Sequence, residues 1–171
     1  WQAAATVRGV RDVESHGADL HEAEVMERAL EVADRARRHA PPWPAVGCVI
    51  ERDGAIVGVG ATGPYPTGPH AEVAALAVAG PRARGATACV TLEPCDHHGN
   101  TPPCTEALIA AGVRRVVVAV GDPDARVAGR GIARLRAAGV DVVTGVGEAA
   151  ATRQLAAYLH HRRTGRPFVV A

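Results

Sequence analysis

Residues 116–120 read Val-Val-Val-Ala-Val, apolar at every position with no alternation between faces. A strand of that kind is buried only if layers cover both of its sides, as happens to central strands with helices packed above and below. The rest of the pattern supplies those layers. Strands are expected at 46–50, 56–60, 86–92, 116–120 and 140–143, and helices at 19–39, 70–79, from about Pro102-Pro103-Cys104 to just before Gly112, and at 132–138 and 148–163. The first helix is expected to open on a capping box, Asp19 with Glu22. The turn Arg52-Asp53-Gly54 joins the first two strands as a hairpin, and thereafter helices and strands alternate. One antiparallel pair plus crossovers through helices predicts a three-layer α/β/α sandwich on one mixed sheet of about five strands. Residues 1–18 show no periodicity and are expected to form an N-terminal arm, with 19–171 as a single domain. The segment 168–170 reads as an extra edge strand or the beginning of a further domain.

Composition narrows the function. Aromatic residues are only 3% of the chain, so the core must come from Ala, Val, Leu and Ile. All 19 basic residues are Arg, which excludes a catalytic Lys or Schiff base. The net charge is +1, and no basic stripe with interleaved aromatics appears, so nucleic acid is not expected as a partner. No run approaches the roughly 18–20 apolar residues of a membrane span, and acidic residues and His interrupt the first thirty positions, unlike a signal peptide. Four Cys do not make a disulfide scaffold at this length, and a cytoplasmic setting is expected.

Three segments carry metal-ligand chemistry: Pro69-His70-Ala71-Glu72, Thr91-Leu92-Glu93-Pro94-Cys95 and Thr101-Pro102-Pro103-Cys104. Each sets a ligand-type residue at or near an expected helix start. One imidazole and two thiolates, His70, Cys95 and Cys104, make a three-ligand zinc site whose fourth tetrahedral position stays open to water. Two thiolates neutralise the dication, and helix N-termini favour their ionised form. Zinc in such a site lowers the pKa of water from about 15.7 towards roughly 7. Glu72, two residues after His70, is placed to carry a proton from water to a heterocycle nitrogen and then to the departing amine. An H-x-E segment followed by a Pro-Cys and a later Cys is the signature of zinc deaminases, although here eight residues separate the two Cys. The alternative is a structural zinc site closed by His97 or His98 in a non-catalytic binding subunit. Cys48 and Cys89 fall within expected strands and read as core; His16, His21, His39, His160 and His161 read as surface.

At these residues the chain resembles the deaminase domain of riboflavin biosynthesis, within the cytidine deaminase-like superfamily. The likeness runs from Met26 to Val170 through Val46-Gly47-Cys48-Val49-Ile50, the three segments above, Asp122-Pro123, Val127-Ala128-Gly129-Arg130-Gly131 and Arg166-Pro167-Phe168-Val169. The long Cys-to-Cys spacing is characteristic of that branch. The resemblance implies a zinc-dependent hydrolase that removes the 2-amino group of 2,5-diamino-6-(5-phosphoribosylamino)pyrimidin-4-one. It also implies a homodimer or higher homo-oligomer, and no nicotinamide site in this stretch, because the reductase of such proteins lies downstream. It places substrate contacts at Trp43, His97, Asn100, Thr101, Asp122 and Arg130, with Arg126 beside Arg130 as a phosphate contact. Two positions depart from the family. Trp43 stands where the family has the Asn that holds the pyrimidine, and Asn100 stands where a Lys or Arg is usual. Those departures motivate a second reading, the same chemistry on another amino-heterocycle or amidine of a specialised, antibiotic-type pathway.

Overall fold

The computed structural model describes residues 8–99 and 101–170, with side chains from His21 onward. Helix α1 spans Arg8–Ala36. The hairpin β1 (Gly47–Arg52) and β2 (Ala55–Ala61) follows, then α2 (Ala71–Ala79) and a single 3-10 turn at Gly80–Ala83. After β3 (Thr87–Leu92) come α3 (Cys104–Ala110), β4 (Arg115–Val120), α4 (Arg130–Ala137) and β5 (Asp141–Thr144). Two short helices end the described chain, α5 (Glu148–Gln154) and α6 (Ala156–Thr164).

The strands form one mixed five-stranded sheet in the order β2-β1-β3-β4-β5. β1 is antiparallel to both β2 and β3, while β3, β4 and β5 run parallel. The hairpin turn puts Asp53 and Gly54 both at positive φ, 54° and 80°, the paired left-handed geometry that a two-residue hairpin requires. Helices α1 and α5 cover one face of the sheet and α2, α3 and α4 line the other. Every residue of β3 is buried, as are Val116, Val117, Val118, Ala119 and Val120 of β4, which is why this run carries no polar face.

Glycines on the hairpin set how closely two helices approach. A Cβ on Gly47 would run into the Ala29 carbonyl of α1, and one on Gly60 into the Ala71 carbonyl and Ala75 nitrogen of α2. Helix α2 therefore lies with its backbone directly on β2, and its first turn, which carries Glu72, is fixed by that contact. Gly60→Ala is expected to cost about 1–3 kcal/mol through overpacking against rigid backbone. Urea unfolding of Gly60→Ala against the parent checks this.

The structure corrects three expectations. Helix α1 begins at Arg8 rather than Asp19, so the described part of the expected arm is helical; residues 1–7 lie outside the described residues. No Pro interrupts residues 8–36, and Glu22 bonds the Arg115 side chain on β4 at 2.7 Å instead of closing a capping box. The expected helix 148–163 is two, broken at Leu155, whose φ −94° and ψ 10° leave the helical region. Residues 168–170 form no strand; Phe168, Val169 and Val170 are 46%, 80% and 82% exposed. Among the described residues no helix is long and apolar enough to cross a membrane.

Candidate metal centre and active site

The functional side chains gather where β3 and β4 end and α2 and α3 begin, at the carboxyl edge of the parallel strands. His70 caps the N-terminus of α2, and Cys104 is the first residue of α3. Cys95 lies in the loop after β3, not at a helix start as expected, and it receives the Cys104 backbone N–H on its sulfur at 3.4 Å. Thr105 closes the same loop, donating its backbone N–H to the Cys95 carbonyl and its hydroxyl to Asp96 at 2.6 Å. The His70 Nδ1 faces both sulfurs, 3.6 Å from Cys95 Sγ and 3.3 Å from Cys104 Sγ. All three donor atoms lie within 4.8 Å of one another. One imidazole nitrogen and two sulfurs converging on one point fit a borderline-soft, tetrahedral cation such as zinc. His97 and His98 stand outside this donor group, and among the described residues no fourth ligand joins it.

The electrostatics agree with that chemistry. Hydrogen bonding from Cys104, helped by His70 and the Cys104 N–H, holds the Cys95 thiol down at about 4 against the effect of burial. Cys104 moves up as the proton-bearing partner of that pair and through burial, and hydrogen bonding to Cys95 raises His70. Glu72 is only 4% exposed, yet it lines the cavity that opens in front of the ligands. Burial, and then the charge of Cys95, push its carboxyl up to about 6, so near neutrality it can both accept and release a proton.

The cavity holds about 230 Å³ and is walled by Trp43, Val46, Thr62 and Leu92 near the ligands. Trp43 stands edge-on between two rings, 5.6 Å from His70 and 5.1 Å from Tyr65, measured between centroids. It lies against a metal-ligand side chain, so its ring forms a wall of the site. His97 and Thr101 also line the cavity, and the His97 Nδ1 is buried with no hydrogen-bond partner among the described residues. Asp122 lines the far side; its carboxylate accepts the Tyr158 hydroxyl at 2.9 Å and the Asp124 N–H at 2.9 Å, and burial raises its pKa. Arg130 does not reach this cavity. It opens α4 as an exposed residue, directly after Gly129 at φ 83°. Asn100 lies outside the described residues.

Four residues that the sequence reading left without a role complete the site. Glu93 is buried and accepts backbone N–H groups from Asp122 at 3.3 Å, Gly129 at 3.1 Å and Ile132 at 3.3 Å. It thereby ties the loop after β4 and the start of α4 to the Glu93-Pro94 turn, onto which Gly131 packs so closely that a Cβ would meet the Pro94 carbonyl. Asp124, Tyr158 and Arg162 line the mouth with Arg126. Glu93→Ala leaves three N–H groups, that of buried Asp122 among them, without this acceptor and is expected to destabilise the protein by about 1–3 kcal/mol. Urea denaturation at fixed zinc reads that loss, and a change below about 0.5 kcal/mol would contradict the role.

An open three-donor centre with a buried acid beside it, on an α/β/α sandwich, defines the zinc hydrolases of the deaminase type. The chain belongs to the family described as the cytidine and deoxycytidylate deaminase zinc-binding region, whose model matches residues 20–120. Over 144 residues it is 54% identical to the riboflavin biosynthesis protein RibD of Escherichia coli, covering 84% of this chain and 39% of that protein. Among solved structures, Acinetobacter baumannii RibD superposes with a TM-score of 0.85 at 45% identity, covering 88% of this chain and 42% of that one. The Thermotoga maritima diaminohydroxyphosphoribosylaminopyrimidine deaminase/5-amino-6-(5-phosphoribosylamino)uracil reductase superposes at 0.82 with 39% identity, over 88% of this chain and 44% of that one. The chain thus spans about two-fifths of the length of these relatives.

Proposed function

We propose that this chain is a zinc-dependent hydrolytic deaminase acting on 2,5-diamino-6-(5-phosphoribosylamino)pyrimidin-4-one, with His70, Cys95 and Cys104 as the ligands and Glu72 as the proton carrier. The observation that carries the reading is the buried Glu72 carboxyl lining the same cavity as a donor set that leaves a coordination position open. Zinc held there would supply a Lewis acid that makes water nucleophilic near neutral pH. Glu72 as carboxylate takes a proton from water as its oxygen adds to the amidine carbon C2. It passes that proton to the adjacent ring nitrogen, then moves a second proton to the amino group, which leaves as ammonia while the carbonyl forms. Trp43 and Leu92 keep bulk water from the ring, and His97, Thr101 and Asp122 offer polar contacts to it.

The names of the relatives support this substrate. The test is direct. Zinc-verified protein incubated with the diaminopyrimidine should release one ammonia per substrate, and zinc-loaded protein that releases none would contradict the reading. Trp43 beside His70 favours a second reading, in which a different amino-heterocycle stacks on this wall; ammonia from such a compound, with none from the diaminopyrimidine, would select it. The setting we propose is the reducing cytoplasm, since all four cysteines are free and two of them serve the centre. We propose a homodimer or higher homo-oligomer, which light scattering at known concentration checks.

A further inference from the structure

Two guanidinium groups meet at the mouth of the cavity. Arg126, in the loop before α4, donates to the Asp124 carboxylate from Nε at 3.0 Å and from Nη2 at 2.8 Å. Arg162, on α6, reaches the same Asp124 oxygen from Nη1 at 3.5 Å. The Arg126 backbone N–H also donates to Asp124, so the carboxylate is held from three sides. Its carboxyl lies far below the usual carboxylate range, because the Arg126 side chain bonds its charged form. Tyr158, one turn before Arg162, carries the Arg162 guanidinium 5.3 Å above its ring and is itself anchored on Asp122. Both forks are thus positioned before any ligand arrives. Arg126 spends Nε and Nη2 on Asp124 and keeps Nη1 without a partner among the described residues, while Arg162 divides its donors between Asp124 and the Tyr158 hydroxyl. The two side chains remain 60% and 35% exposed, facing the opening.

Among the described residues that line the cavity, these two are the only Arg side chains. The two guanidinium groups share the opening with the Asp124 and Asp122 carboxylates, on the wall formed by α6 and the loop before α4. We propose that Arg126 and Arg162, held on Asp124, form the clamp for the phosphate monoester of the substrate. The clamp rests on the reading above that the substrate is a phosphorylated pyrimidine. Forked donors with fixed orientation suit a tetrahedral oxyanion better than a single flexible ammonium would, and Asp124 holds both forks at the mouth.

Binding of ribose 5-phosphate to the zinc-loaded protein, followed by calorimetric titration with ribose as the uncharged comparison, tests the clamp without turnover. Ribose 5-phosphate should bind and ribose should not at the same concentration. Affinity should fall about tenfold in Arg126→Gln or Arg162→Met and roughly a hundredfold in the double variant. Arg163→Gln, the same charge change one position along α6, should bind as the parent does. With the diaminopyrimidine, the double variant should raise KM and spare kcat, because a remote phosphate contact acts on ground state and transition state alike. Equal affinity for ribose and ribose 5-phosphate, or a double variant within twofold of the parent, would overturn the clamp. Arginine-dependent binding without any deamination would instead leave the clamp standing and overturn the proposed reaction.

Discussion

Glu72→Gln is expected to fold, to hold one zinc per chain, and to lose about 10²–10⁴-fold in deamination rate. Gln fills the same volume and retains hydrogen bonding, so the first turn of α2 and His70 beside it stay in place. What disappears is a group able to take a proton from water and return it to nitrogen. Glu72 is buried, and burial already raises its carboxyl to about 6, so replacing it with a neutral amide removes a group that is costly to ionise there. Stability should therefore hold or rise slightly. The three measurements are zinc content, the urea midpoint and ammonia release. Activity within about twofold of the parent would exclude Glu72 as the proton carrier.

Cys104→Ala should fail differently. Cys104 is fully buried as the first residue of α3, and its sulfur and backbone N–H both face Cys95. Removing the sulfur leaves two donors, too few to hold zinc against chelators. It also removes whatever folding stability the bound metal provides, a term of about 10–16 kcal/mol in isolated zinc-finger peptides and smaller where a core already exists. Truncating one sulfur atom inside the core adds a small cavity cost, on the order of 1 kcal/mol. The diagnostic result is the response to chelation. Parent protein should lose several degrees of thermal midpoint when stripped of metal, whereas Cys104→Ala should start at the lower midpoint and not respond. Zinc at full stoichiometry in that variant would remove Cys104 from the ligand set.

The elements that sequence made legible are those dictated by local chemistry. Residues 116–120 could only be a covered strand, Asp53-Gly54 could only be a tight hairpin turn, and a His two residues before a Glu at a helix start could be read without knowing what lay across the cavity. The helix boundaries that failed are those where no local signal acts. Nothing in residues 8–18 marks an apolar face, yet the backbone stays helical, and nothing in the run 148–163 announces the break at Leu155. α6, the part after that break, carries Tyr158 and Arg162 at the mouth. Their spacing of one helical turn was visible, but the surface they shared was not. Glu93 was likewise visible as a lone carboxylate closing an apolar strand. Its partners Gly129 and Ile132 lie 36 and 39 residues on, a distance that only the folded sheet closes. Arg130 is exposed at the start of α4 and is not among the described residues that line the cavity, where Arg126, four residues earlier, is.

X-ray absorption at the zinc edge of the purified protein bears most directly on the centre. Two sulfur neighbours at about 2.3 Å and two nitrogen or oxygen neighbours at about 2.0–2.1 Å are expected, one from His70 and one from solvent. Protein without zinc, or zinc surrounded by any other number of sulfurs, would contradict a centre built from His70, Cys95 and Cys104.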